Sequence, residues 1–303
     1  MNYPLTVVRP VLITPEMLVS TDVPETDYPE WATGTTYASG ARVILAAKHK
    51  VYQSTIDANT GHDPAAVVAE PKWLEVGSTN RWKPFDKSVN TQVVQANAIS
   101  YRFKPGQAVT NVGALNIKGA TSMRVQVIDA TGVVYDRTIN LRRTPVFSSW
   151  WAWFFGERRT PTQALLNDLP SYPNAEVQID FTGTTELAIG VLLLGQARTF
   201  ALGVQMGASV GIQDYSRKEK TEFGDMVLVE RAFAKRANFD LVLTAGEVDA
   251  LHQFLSEVRA TPCLWVGSNR YESTTVYGFY KSFDIVISYF NYSDCQLELE
   301  GLT

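Results

Sequence analysis

Along most of the chain, apolar residues recur at every second position, the spacing of a half-buried strand. Residues 176–181 show it plainly, with Val177, Ile179 and Phe181 alternating with Glu176, Gln178 and Asp180. Residues 123–128 and 133–141 form two further runs joined by Asp129-Ala130-Thr131-Gly132, which predicts a hairpin with a glycine-containing loop. Residues 239–243 and 276–292 continue the theme. The stretch nearest to a membrane span, 187–194, is too short to cross a bilayer, is followed by Gly195, and predicts a buried strand. One segment has a helical period instead. Thr244 and Glu247 have capping-box spacing, Val248, Leu251, Leu255 and Val258 form a stripe, and Thr261-Pro262 ends it. The pattern as a whole predicts a mainly β protein with a single helix.

At 303 residues the chain is long enough for two or three folded units. Residues 1–25, with Pro4, Pro10, Pro15 and Pro24, predict an extended N-terminal arm. Residues 26–77 are dense in Trp, Tyr, Gly and Thr and predict a small aromatic-rich β module. Residues 78–200 carry the strands of a jelly-roll-like β-sandwich of the galactose-binding type, among them 99–103 and 114–117. Residues 201–303 predict a hairpin at 226–242, the helix, and closing strands: a C-terminal β-sandwich with one flanking α-helix. Gly224, among the alternating charges of 218–225, marks a solvated loop or hairpin tip that is either a plain surface turn or a ring contact.

Composition narrows the function classes. With 45% hydrophobic and 19% charged residues the chain is globular, and a net charge of −4 argues against a broad basic face, so no sequence-specific nucleic-acid contact is expected. Cys263, Cys295, His49, His62 and His252 are too few and too scattered for a disulfide framework or a zinc site, and no cofactor is expected. The N-terminus lacks the cationic start and apolar run of a signal peptide, which fits synthesis in a reducing cytoplasm.

Catalytic patterns are weak. Gly207-Ala208-Ser209-Val210-Gly211 fits G-x-S-x-G, with Asp240 and His252 following in hydrolase order. That motif needs a helix directly after the serine, whereas 212–217 has no apolar stripe and His252 falls inside the expected helix. Carboxylate pairs such as Asp129 with Asp136 and Glu298 with Glu300 lie on hairpins or strand faces. No enzyme is expected.

Between Pro29 and Trp73 the aromatics are ordered: Trp31, then Tyr37 with Gly40 and Val43, then Val51-Tyr52, then Gly61 with Pro64, then Trp73. A block this short must draw most of its buried area from aromatics, or else turn some of them outward to stack on sugar rings. The order resembles the small chitinase-type carbohydrate-binding modules of families five and twelve. That resemblance implies that Trp31, Tyr37, Tyr52 and Trp73 are candidates for glycan contact, with the core as the competing role for them. The departure is at Lys48-His49-Lys50, where the usual short turn is longer and basic; the added charge favours an anionic bacterial surface polysaccharide over neutral chitin.

Next comes Val76-Gly77-Ser78-Thr79-Asn80-Arg81-Trp82-Lys83-Pro84-Phe85-Asp86: a turn, polar groups suited to holding loop amides, and Trp82 and Phe85 as anchors. The run resembles a segment of bacteriophage tail and baseplate proteins, where it opens a β-sandwich. Further on, Trp150, Trp151, Trp153, Phe154 and Phe155 crowd into six positions beside Arg158-Arg159. Three roles compete for them: a subunit interface, a local mini-core, and a lipid or sugar contact. The element order of 211–303, with its closing run 289–302, resembles the tail-tube fold shared by phage tube and distal tail proteins. This resemblance implies self-association into a threefold or sixfold ring, other phage tail proteins as partners, and a virion location at the tail tip or baseplate. A free-standing surface glycan-binding protein is the alternative.

Overall fold

The computed structural model describes residues 3–142, 149–155, 160–220, 222, 225–268, 270–287 and 289–302. Two curved antiparallel sheets carry most of them. A six-stranded sheet runs in the order Gly132–Asn140, Lys118–Asp129, Glu176–Ile189, Ala98–Phe103, Leu18–Thr21, with Val93–Gln95 pairing the far end of Glu176–Ile189. A nine-stranded sheet runs Gln163–Leu166, Asn111–Leu115, Val191–Val204, Tyr3–Pro10, Cys263–Val266, Thr275–Val286, Tyr292–Gly301, Phe233–Thr244, Ser209–Asp214.

The larger sheet serves two cores. Its first three strands face the six-stranded sheet, so that Val112, Ala114, Leu192 and Leu194 meet Tyr101, Phe103, Val125, Ile179 and Phe181. The remaining strands curl until Val191–Val204 meets Phe233–Thr244, through the pairs Gly203 with Val242 and Val204 with Leu241. The curl encloses a second core of Leu5, Val7, Phe239, Leu241, Trp265, Leu297 and Leu299. Against it the helix Val248–Glu257 lays Leu251 and Leu255 of the expected stripe, with Val248 and Val258 at its ends and Phe254 beside them. The Glu247 carboxylate accepts from both the backbone N–H and the hydroxyl of Thr244, at 2.9 and 2.8 Å, which fixes the entry to the helix. The protein is mainly β with a flanking helix.

The N-terminal residues differ from expectation. Tyr3–Pro10 is extended, yet it is no arm: it fills the slot between Val191–Val204 and Cys263–Val266, with Leu5, Val7 and Val8 fully buried. Its prolines sit where a ladder donor is not needed. The register slips between Tyr3 and Leu5, at Pro4, and Pro10 is the last residue of the strand. Leu18–Thr21 then joins the other sheet. The expected boundary at 200 falls inside Val191–Val204, so sandwich and curled sheet share a strand.

The apolar stretch 187–194 is buried throughout, but it makes two strands. At Gly190 the chain leaves one layer of the sandwich for the other. A Cβ at Gly190 would stand 2.4 Å from the Val89 carbonyl oxygen, so only glycine fits the corner. The module forms a three-stranded sheet of Arg42–Leu45, Lys50–Ser54 and Trp73–Ser78, plus the short pair Thr36–Tyr37 with Asn59–Thr60. The 3-10 helix Asn80–Phe85 connects it to the sandwich.

Candidate functional site

Three of the four glycan candidates are core. Tyr37, Tyr52 and Trp73 are buried with Val43 at the centre of the module, Tyr37 and Trp73 meeting edge to face at 5.2 Å. Burial pushes the Tyr52 phenol up, and Glu75 nearby adds to the shift. The Trp73 indole N–H donates to the His62 carbonyl at 2.9 Å, and the Tyr37 hydroxyl accepts from the Ala32 N–H at 2.9 Å. Their faces are therefore corrected from sugar platforms to packing surfaces, because so small a sheet has no other source of buried area. Only Trp31, half-buried against this core, keeps part of its ring in solvent. Lys50, one of the two lysines marked for polysaccharide, is paired with Glu75 at 2.9 Å.

The longer basic turn has a structural part in the joint. His49 takes a left-handed backbone, φ 56°, which closes the 3-10 turn Ala46–Lys48 and turns its ring onto Trp82. Beneath it the nearly buried Glu25 carboxylate contacts His49 Nδ1 at 2.9 Å, accepts from the Thr79 hydroxyl at 2.6 Å and is reached by Arg81 at 3.4 Å. Asn80 exchanges two hydrogen bonds with Val94, and Asp86 accepts from the Ser88 N–H and the Thr91 hydroxyl. Phe85 packs edge-on to Tyr101 and Phe103. The run 76–86 is a bolt between module and sandwich.

A ribbon stands off the curled sheet. Past a turn at Met206-Gly207, where Gly207 takes φ 112°, Ser209–Asp214 pairs with the first half of Phe233–Thr244, and Arg217–Lys220 pairs with Met226–Val229. Every residue of the strands Ser209–Asp214, Arg217–Lys220 and Met226–Val229 is exposed. One outer strand is charged, with ion pairs Lys218–Asp214 at 2.6 Å and Arg217–Glu219 at 2.5 Å. Its partner Met226–Val229 is apolar on both faces, Leu228 being 68% exposed, and among the described residues no strand pairs with its outer edge. The sequence signal was four apolar residues without alternation beside an alternating charged run. Gly224, the expected tip, lies outside the described residues, as do Arg158 and Arg159.

The aromatic cluster is a short helix, Trp150–Phe155, in the connection between Gly132–Asn140 and Gln163–Leu166, the edge strands of the two sheets. Trp150, Trp151, Trp153, Phe154 and Phe155 are all exposed, Trp150 at 80%. Their ring contacts among the described residues are with one another. Among the described residues the rings do not join the core of the sandwich.

Ser209 of G-x-S-x-G is the first residue of the exposed strand Ser209–Asp214, and among the described residues three further strands follow before the next helix. His252 is exposed on that helix, its ring against Phe283 at 5.9 Å. A cleft of ≈570 Å³ lies where sandwich and curled sheet meet. It is lined by Arg9, Lys87, Arg198, Phe85, Phe254 and Tyr277 among others, with no acidic, histidine or cysteine side chain in its wall. Arg9 is drawn to Glu257 at 3.7 Å, and Arg198 lies over the Phe254 ring. No helix among the described residues is long and apolar enough to cross a membrane. Comparison with known proteins returns no match to a family model, a curated protein or a solved structure.

Proposed function

We propose that this chain is a non-catalytic structural protein of a phage tail tip or baseplate, and that it assembles into a ring through the ribbon of its curled C-terminal sheet. The strand Met226–Val229 carries the proposal. A strand apolar on both faces belongs inside a covered sheet, and here it stands at an open edge of a two-stranded ribbon. Left in water, such an edge recruits whatever strand it meets. A second copy supplies both an edge and a cover. A ring, threefold or sixfold by the likeness to tail-tube proteins, requires a head-to-tail contact, in which the ribbon of one copy meets a different surface of the next. Other tail proteins then stack on that ring in the virion.

The resemblance of 76–86 to phage tail segments supports the same setting, and the bolt it forms holds the module outward from the sandwich. Display of a glycan-binding surface is the secondary part of the proposal. With Tyr37, Tyr52 and Trp73 buried, it rests on Trp31 alone.

Sedimentation of the full chain tests the assembly. The wild type should run as a multimer, and Leu228→Glu combined with Val227→Lys should run as a monomer with an unchanged circular dichroism spectrum. A wild type that stays monomeric at high concentration, or a variant that assembles equally well, would refute the ribbon's role.

A further inference from the structure

We propose that the helix Trp150–Phe155 is an anchor for an anionic lipid surface, seated in the interface rather than spanning it. At 100° per residue, Trp153, Trp150, Phe154, Trp151 and Phe155 cover an arc of about 200° around the helix, roughly twice the stripe that packs against a single neighbour. The sixth residue of the helix is an alanine, so its sequence contains no polar side chain. A flat protein partner covers one side of such a helix and leaves the opposite rings wet. A lipid interface surrounds a submerged tip on every side.

Length, charge and residue type agree with this occupant. Six helical residues rise about 9 Å, which matches the depth of the headgroup and upper acyl region and falls far short of the ~30 Å hydrocarbon core. Within 142–159 the sequence holds Arg142, Arg143, Arg158 and Arg159 against the single acid Glu157, a local net charge of +3 in a chain of −4. Basic flanks around Trp and Phe suit anionic headgroups above an apolar layer. The helix lies between the edge strands Gly132–Asn140 and Gln163–Leu166 in the chain, and among the described residues nothing covers its five rings.

The test uses the full chain with vesicles of phosphatidylglycerol and phosphatidylethanolamine, and with neutral phosphatidylcholine vesicles. Wild-type protein should float with the anionic vesicles, bind the neutral ones more weakly, and lose tryptophan fluorescence to lipids brominated high on the acyl chain. Replacing Trp150, Trp151 and Phe154 by Ser should lower partitioning on the order of tenfold or more. The same variant should keep the wild-type sedimentation coefficient and melting temperature in the absence of lipid. No flotation of the wild type with either vesicle overturns the proposal. So does a variant that floats as well as the wild type, or one whose only defect is a smaller assembly, which would make the helix a contact between copies.

Discussion

The His49 ring lies on the Trp82 ring, centroids 4.6 Å apart and planes 29° from parallel. One residue belongs to the module and the other to the connecting 3-10 helix, so this stack, with Glu25 beneath it, sets how the small module sits on the sandwich. The Trp82 indole N–H meets no acceptor among the described residues. Trp82→Phe should therefore be nearly neutral, since it keeps a ring on His49 and removes a buried unpaired donor. Trp82→Ala should cost about 3–5 kcal/mol and open the 76–86 connection to proteolysis. Urea unfolding with a limited-digestion assay distinguishes the two.

Leu5 tests whether the first strand is structural. Leu5→Ala should lower the stability of the curled sheet by about 2–5 kcal/mol, as for any fully buried leucine. A change within ~0.5 kcal/mol, the range of an exposed site, would restore the reading of a loose arm.

Cys263 and Cys295 are buried thiols whose pKa burial raises to about 12 each. Native protein should react with neither equivalent of an aromatic disulfide reagent, and unfolded protein with both. The folded pKa lies above the unfolded value of ~8.5, so stability is complete below that pH and declines as pH rises from ~8.5 toward 12. Cys263→Ala with Cys295→Ala should flatten that alkaline slope in a pH series of melting curves.

Much of this fold was legible because alternation reports a half-buried strand directly: 123–141, 176–181 and 239–243 all stand where the period places them. The helix was legible for the same reason, its stripe and Thr244–Glu247 pair being local. What the pattern could not convey was partnership. Pro4 and Pro10 looked like signs of an arm because the sequence does not say which strands will flank residues 5–9, nor that the prolines fall at a slip and an end. The run 187–194 hid its corner because both halves are buried and only the backbone contact at Gly190 separates them. In the module, spacing identified Tyr37, Tyr52 and Trp73 as the important aromatics, but a core ring and a sugar platform leave the same trace in a sequence.

Trp31 and Trp73 should separate fold from ligand. Trp73→Ala should unfold the module, at about 3–5 kcal/mol for a buried aromatic, whereas Trp31→Ala should leave the melting temperature within a few degrees. Titration of the full chain with host lipopolysaccharide or capsule fragments should give a weak response, on the order of millimolar, that Trp31→Ala abolishes. A response that survives Trp31→Ala places the glycan elsewhere, and silence in a multivalent array leaves the module an architectural spacer.

Hydrogen exchange across the ribbon, followed with protein concentration, tests the ring most directly. In dilute solution the outer-edge amides of Met226–Val229 have no ladder partner among the described residues and should exchange quickly. As the chain assembles they should become protected in step with the rise in mass, while the amides of Glu176–Ile189, already inside a sheet, should not change. Equal exchange at 226–229 in dilute and concentrated samples, with multimers present, would show that the chain assembles through another surface and would contradict the account.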